Sequence, residues 1–358
     1  MKGFKKRMKK NKSAKPSLGD IAKIAKVSRM TVSYALRNQP SVSKATRERI
    51  LRIAKRLGYA PDARIAAWML RMRESKSKDL LPIAWLNSKP EKDAWDRFKY
   101  LSPYLEGARA RALEMGYQIE EIWARQSGMT MQRISRILNQ RGIEGVVVSQ
   151  PARHVRFDWT RMAGVSIDGA LLVPNLPRVM SDNAFNLGLA LKSLKRLGHR
   201  RIGIFLPRMV DSYSDHACRN AAFHYHATTP KPERVPPVFY WWPHLIKDQI
   251  STWLRKYKPE VVVGLDNYLV RWIIEAGYRV PEDIGVVHLA LDDDVSDWAG
   301  IHSNKREIGA TAVELVISSL LNRRFGLPKV ALTTLVRGSW RSGRTLLKPQ
   351  AKEIAPAA

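Results

Sequence analysis

The sequence is short of cysteine, of long apolar runs and of acids, and each shortage excludes something. Cys218 is the only cysteine, so no disulfide can close within the chain and no cysteine-rich zinc site can form. A reducing compartment, the cytoplasm, fits that usage. No apolar run approaches the ~18 residues that a membrane-spanning helix needs, and the longest, such as Val261–Val263 and Leu315–Leu321, suit buried strands and helices. Acids number 32 against 62 Lys and Arg, a formal net charge of +30 that calls for a polyanionic partner such as nucleic acid or an anionic surface. Signatures of catalysis are also missing: there is no Gly-rich phosphate loop with its Lys, no Gly-x-Ser-x-Gly elbow and no dinucleotide fingerprint. No enzyme activity, cofactor or metal is therefore expected; His224 and His226 around Tyr225, near His216, have no clear third ligand and read as surface or core histidines, and Asp292–Asp294 reads as a loop or helix cap.

What is present is unevenly placed. Residues 1–79 hold 23 Lys and Arg and 5 acids, net +18, so the positive charge gathers at the N-terminus. Residues 1–15, with eight Lys and Arg, bury too little to order themselves and read as a basic arm. They are basic like a secretory leader, but Ser17-Leu18-Gly19-Asp20 stand where its apolar stretch should follow.

From residue 16 the period changes to three short helices ending near residue 60. Leu18, Ile21, Ala22 and Ala25 form one apolar stripe, Val32, Ala35 and Leu36 a second, and Ile50, Ile53, Ala54 and Leu57 a third. Ser28 and Ser43 stand where N-caps of the second and third helices belong. Residues 61–79 look like a hinge. From residue 80, β-rich runs alternate with amphipathic helical stretches, as in parallel sheets covered by helices, and the length suits two α/β units. The strands expected are Ile83–Leu86, Gln118–Trp123, Gly145–Ser149, Gly164–Ile167, Arg201–Leu206, Val235–Tyr240, Val261–Leu265 and Gly285–Leu289.

The segment from Ile21 to Leu36 has helix-turn-helix grammar: small Ala22 and Ala25 allow close packing, and a helix opening at Ser28 offers its first residues to base edges. Here the chain resembles the LacI/GalR family of bacterial transcription regulators. The resemblance rests on Asp20-Ile21-Ala22, Ala25-Lys26-Val27-Ser28, Thr31-Val32-Ser33, Pro40-Ser41-Val42-Ser43, Thr46–Ile50 and Leu57–Pro61. It continues in Leu197–Gly203, Val280–Val287 and Glu307-Ile308-Gly309. It implies an all-α helix-turn-helix headpiece, a hinge helix at 61–79, and a core over 80–345 of two doubly wound parallel-sheet subdomains like periplasmic binding proteins. Those subdomains would span roughly 80–178 and 179–300, the chain crossing back after 300 and ending in a tail, 346–358.

By the same resemblance, Ser28, Arg29, Met30, Thr31, Ser33 and Tyr34 would meet DNA, with Asn38, Ser43, Lys44 and Arg47 on phosphates. The family often has Arg where Tyr34 stands and a polar residue where Met30 stands. Trp68 falls where relatives insert a Leu wedge into the minor groove; packing on the core or on a partner subunit is the other reading. The effector cleft would lie at the C-terminal ends of the strands, which places Asn87, Ser88, Gln150, Asp266 and Asp292 there. Arg219, in Arg219-Asn220-Ala221-Ala222-Phe223, matches the family's effector-clamping Arg, and Trp242 would stack on a sugar face or lie in the core.

The function expected is a cytoplasmic, nucleoid-associated repressor: a homodimer, or a dimer of dimers, that reads a near-palindromic double-stranded operator under control of a small molecule, a carbohydrate or related metabolite. A solute-binding protein with the same core is the alternative; the basic headpiece argues against it.

Overall fold

A computed structural model describes residues 18–36, 42–57, 59, 80–149, 157–168, 174–208, 216–241, 246–291 and 293–347. The chain divides into two compact units, Met1–Asp79 with Leu321–Arg324, and Leu80–Leu320 with Phe325–Ala358. The basic arm, the hinge and the tail beyond 347 lie outside the described residues, as do Asn38, Trp68, Gln150, Trp242 and Asp292.

The first unit contains α1 (Leu18–Ala25), α2 (Arg29–Leu36) and α3 (Lys44–Leu57). Ile21, Ala22, Ala25, Val32, Ala35, Val42, Ile50 and Ala54 form its core, flanked by Leu18, Leu36, Ile53 and Leu57, so the three expected stripes meet each other. Helix α1 stops because Lys26 turns left-handed, with φ of 50°. The amide of Val27 then donates to Ala22 O at 3.1 Å and that of Lys26 to Lys23 O at 3.4 Å, the paired bonds that close a helix end, with Lys where Gly is usual.

The second unit carries two six-stranded sheets. The first has the order β11-β5-β4-β3-β1-β2, all parallel, built from β1 (Leu81–Asn87), β2 (Tyr117–Trp123), β3 (Gly145–Ser149), β4 (Ala163–Ile167), β5 (Arg178–Ser181) and β11 (Thr333–Val336). The second has the order β12-β10-β9-β8-β6-β7: β6 (Ile202–Pro207), β7 (Val238–Tyr240), β8 (Val261–Gly264), β9 (Gly285–Leu291), β10 (Ala299–His302) and β12 (Ser339–Arg341), with only β12 antiparallel. Strand β5 completes the first sheet, so the seam between subdomains falls at Asp182 and not inside that strand.

Period-two alternation buries both faces of each sheet. On β1, Ile83 and Trp85 enter one core and Ala84 and Leu86 the other. On β8, Val261 and Val263 face one way and Val262 the other. The helices that supply the facing layers are α4 (Ala94–Arg97), α5 (Ser102–Glu114), α6 (Met131–Gln140), α7 (Asn183–Arg196), α8 (Ala217–Thr228), α9 (Ile246–Tyr257), α10 (Leu269–Glu275) and α11 (Lys305–Leu321).

The chain passes between the subdomains three times, at 181–183, 302–305 and 336–339. Asn186, buried at the head of α7, donates to Ser181 Oγ at 3.0 Å and accepts from the Gly338 amide at 2.8 Å, joining the first crossing to the third. Asn304 donates to Arg337 O at 2.8 Å, joining the second crossing to the third. Helix α11 returns to the first sheet and crosses α5 at backbone contact: a Cβ on Gly309 would collide with the carbonyl of Tyr104, and one on Gly107 with that of Arg306.

That crossing makes a prediction about two glycines. Gly309→Ala should lower unfolding stability by ~1–3 kcal/mol through overpacking. Gly188→Ala, on an exposed face of α7 with nothing within 4 Å of the new methyl, should raise it by ~0.5–1 kcal/mol. Thermal denaturation of the two variants beside the parent checks both signs.

Candidate DNA-binding headpiece and effector cleft

The headpiece residues expected to meet DNA lie together on α2 and at the start of α3. Ser28 caps α2: its Oγ accepts the Thr31 amide at 3.0 Å and exchanges a 2.8 Å bond with Thr31 Oγ1. Ser43 caps α3 in the same way, with its hydroxyl donating to Thr46 Oγ1 at 2.9 Å. Met30 is 63% exposed, a large apolar side chain on the open face of a helix, with Tyr34 one turn on and also exposed. Arg29 is exposed but leans back over Gly19 of α1; a Cβ there would stand 3.0 Å from Arg29 Nη2. Arg47 Nη2 donates to Val42 O at 3.1 Å, pinning the turn into α3, and Lys44 is exposed. Of Ser33, only the backbone is described.

In the core, Asn87 and Ser88 end β1, and Asn87 is committed to its own loop. Its Nδ2 donates to Glu91 O and Lys92 O at 3.3 and 2.9 Å, while its Oδ1 accepts from the Lys89 amide at 2.9 Å and from Trp95 Nε1 at 3.2 Å. All four hydrogen-bonding positions of the amide are filled, so a ligand reaching Asn87 would have to displace one of these bonds. Ser88 is buried, and its carbonyl accepts from Arg125 Nε at 2.9 Å.

Across the cleft, Asp266 follows β8. Its Oδ1 accepts the Tyr268 amide at 2.9 Å and its Oδ2 faces Tyr240 OH at 3.4 Å; burial pushes the carboxyl above its ordinary range. Aromatic rings surround it: Tyr240 meets Trp272 edge-on at 6.0 Å, Tyr268 stacks on Trp272 at 6.3 Å, and Trp241, 66% exposed, carries the Arg208 guanidinium at 4.0 Å. Arg219 stands in the first turn of α8, half-buried, 5.8 Å from the ring centres of both Phe223 and Phe239. At the outer rim, Lys99 Nζ reaches Asp294 Oδ1 at 3.3 Å, an exposed ion pair between the two subdomains.

A second cluster at the crossings escaped the reading of the sequence. Asp168, just past β4, accepts from Tyr104 OH at 2.5 Å and from the Ser181 amide at 3.1 Å. Burial raises its carboxyl, with the charges of Lys305 and Arg178 opposing. Lys305 opens α11 and is 9% exposed. His288, wholly enclosed on β9, accepts the Ala290 amide on Nδ1 at 3.2 Å; burial first, and the Lys305 charge second, depress it to about 3. Asp168 stands one residue beyond a strand that the sequence did reveal. Lys305 and its neighbours follow β10, a four-residue strand too short for its alternation to be seen.

The comparisons with known proteins match both units. Residues 17–62 match the family described as bacterial regulatory proteins, lacI family, and residues 191–339 the periplasmic binding protein-like domain. An uncharacterised HTH-type transcriptional regulator of Streptomyces limosus is 29% identical over 202 residues, and the alignment spans about half of each chain. The ribose operon repressor of Haemophilus influenzae is 21% identical over 322 residues, 86% of this chain and 92% of that one. Among solved structures, the lac repressor dimer bound to operator and the anti-inducer ONPF superposes with a TM-score of 0.56 at 20% identity, covering 93% of this chain and 100% of that one. The lacI family match thus covers the helix-turn-helix, and the periplasmic binding protein-like match falls on the core of two parallel-sheet subdomains that follows it in the chain, so the protein is similar to the lacI family of bacterial regulators in both parts.

His288 predicts a pH response. Its folded pKa lies below the unfolded value of 6.5, so between about 3 and 6.5 the unfolded chain binds a proton that the native chain refuses, and stability falls as pH falls through that window. The loss approaches ~1.4 kcal/mol per pH unit below the unfolded pKa. The raised carboxyl of Asp168 acts with the opposite sign, so the test is differential. Urea denaturation at pH 7 and pH 5 should show a smaller drop in His288→Asn than in the parent; equal drops refute the assignment.

Proposed function

We propose that the protein is a transcription repressor whose operator affinity is set by a small molecule bound in the cleft of its core. The observation that carries this reading is the helix-turn-helix itself. Helix α2 is capped by Ser28, locked to α1 through a shared core, and turns Arg29, Met30 and Tyr34 outward. Those side chains, with Ser28, Thr31, Ser43, Lys44 and Arg47, would address base edges and phosphates, Met30 offering apolar contact to a thymine methyl. The organisation that fits is an arm over 1–15, a headpiece over 16–60, a hinge over 61–79, an effector and dimerisation core over 80–345 and a tail beyond.

Two copies joined through their cores would hold two headpieces in register on a near-palindromic operator, because one headpiece buries too little surface for ~10⁻⁸–10⁻¹¹ M affinity. The lac repressor neighbour is described as a dimer on its operator, and the relatives named for ribose and cellobiose support a sugar-related effector here. Arg219, Asp266 and the rings about Tyr240 and Trp241 would receive it; the hydrogen bonds and ring contacts about Asp266 support that reading. The protein acts by binding and not by turnover, in the cytoplasm where its DNA lies. Effector binding shifts the populations of two core arrangements and so changes operator affinity by its differential binding energy.

Operator binding should be steeply salt dependent. With ~6–10 phosphates neutralised per dimer, affinity should fall by ~10³–10⁵ between 50 and 200 mM salt. Fluorescence anisotropy with a two-fold symmetric operator measures the slope, and a flat response sinks the reading.

A further inference from the structure

Where the chain makes its second crossing, a cavity of about 100 Å³ lies between the subdomains. That is space for a few waters, at ~30 Å³ each, or for one phosphate- or carboxylate-sized group. Pro103 borders it from the first subdomain, Leu291, Ser296 and Arg341 from the second, and His302 to Arg306 from the crossing itself. No Asp or Glu lines it among the described residues.

Three features of this cavity point the same way. Ser303 is only 2% exposed and lines the cavity, yet its Oγ has no hydrogen-bond partner within the protein. A buried hydroxyl left unsatisfied is a standing cost to the fold, which a bound acceptor would remove. A helix N-terminus also opens here: α11, of 17 residues, begins at Lys305. Its partial positive charge favours an anion. Finally, Lys305, Arg306 and Arg341 supply formal charge. Glu106 pairs with Arg306 and offsets part of that charge, and the Asp168 carboxyl feels the Lys305 charge while it holds Tyr104 and the Ser181 amide, which leaves Arg341 as the exposed cation of the lining.

From this arrangement we propose that the effector is anionic, a metabolite whose phosphate or carboxylate group seats in this cavity between Ser303, Arg341 and the head of α11. The inference rests on the core being an effector cleft and adds the chemical class of the ligand: a sugar phosphate or sugar acid in place of a neutral sugar. It also places the anion on the crossing, where a charged group changes the balance between subdomain arrangements most directly.

The test is titration of the full chain with inorganic phosphate, with acetate and with glucose at constant ionic strength, read by thermal denaturation and calorimetry. Phosphate or acetate should stabilise the parent, the tighter of the two identifying the anionic group, while glucose should not. Ser303→Asp, which puts a carboxylate in the cavity, should abolish that response. Arg341→Gln, at an exposed position where folding is not at risk, should weaken it by ~10-fold or more, the loss of a charge-assisted contact. The unliganded melting temperature of each variant reports its fold. An anion response equal in the parent and in Arg341→Gln would mean that the anion binds elsewhere, the basic headpiece included, and overturns the proposal. Stabilisation by glucose alone would also overturn it while leaving the effector-controlled regulator intact, whereas failure of that broader reading appears separately as absent operator binding.

Discussion

A buried amide must find hydrogen-bond partners, and Asn186 finds them on two different passages of the chain between the sheets. Asn304 ties the remaining passage to the same place through the carbonyl of Arg337. The two subdomains are thus joined by three strands of backbone held to one another by side-chain amides. Everything that depends on the relation between subdomains acts through it: the cleft faces meet there, α11 departs from it to cover the first sheet, and Asp168 and Lys305 stand on either side.

The same economy governs the cores. Each sheet is buried on both faces, so its central strands are short continuous apolar runs, and the helices covering them come as close as their smallest residues allow. Gly107 and Gly309 sit where α5 and α11 touch, which locks the first subdomain to the segment that has just crossed from the second. At that contact there is no room for either helix to gain a side-chain methyl without a shift of backbone.

Much of this was legible in the sequence, for reasons that particular residues make plain. The headpiece helices were visible because Ile21, Ala22, Val32, Ala35, Ile50 and Ala54 keep helical period and serines stand at the cap positions. Strands such as Gly145–Ser149 and Val261–Gly264 announced themselves as β-branched runs between turn residues. Strands β5, β10, β11 and β12 did not: they are three or four residues long without an unbroken valine run, and pairing with neighbours distant in sequence makes them strands, as β11 does against β5 across more than a hundred residues. The cleft was half legible for the same reason. Asp266 follows an unbroken run of three valines and could be singled out; Ser303 and Lys305 follow Ala299–His302, which has no such run, and could not. Asn87 shows the limit of position alone, since a polar residue at a strand end can be wholly occupied in folding its own loop.

The ion pair between Lys99 and Asp294 carries a consequence for how the protein senses its surroundings. Both side chains are solvated, so the pair contributes at most ~1 kcal/mol and weakens as salt accumulates within a Debye length of ~10 Å at 0.1 M. A cleft held partly shut by such a contact responds to ionic strength as it would to a feeble ligand. Dissolved salt therefore reaches the molecule twice, once by screening the headpiece from its polyanion and once by loosening the rim of the core.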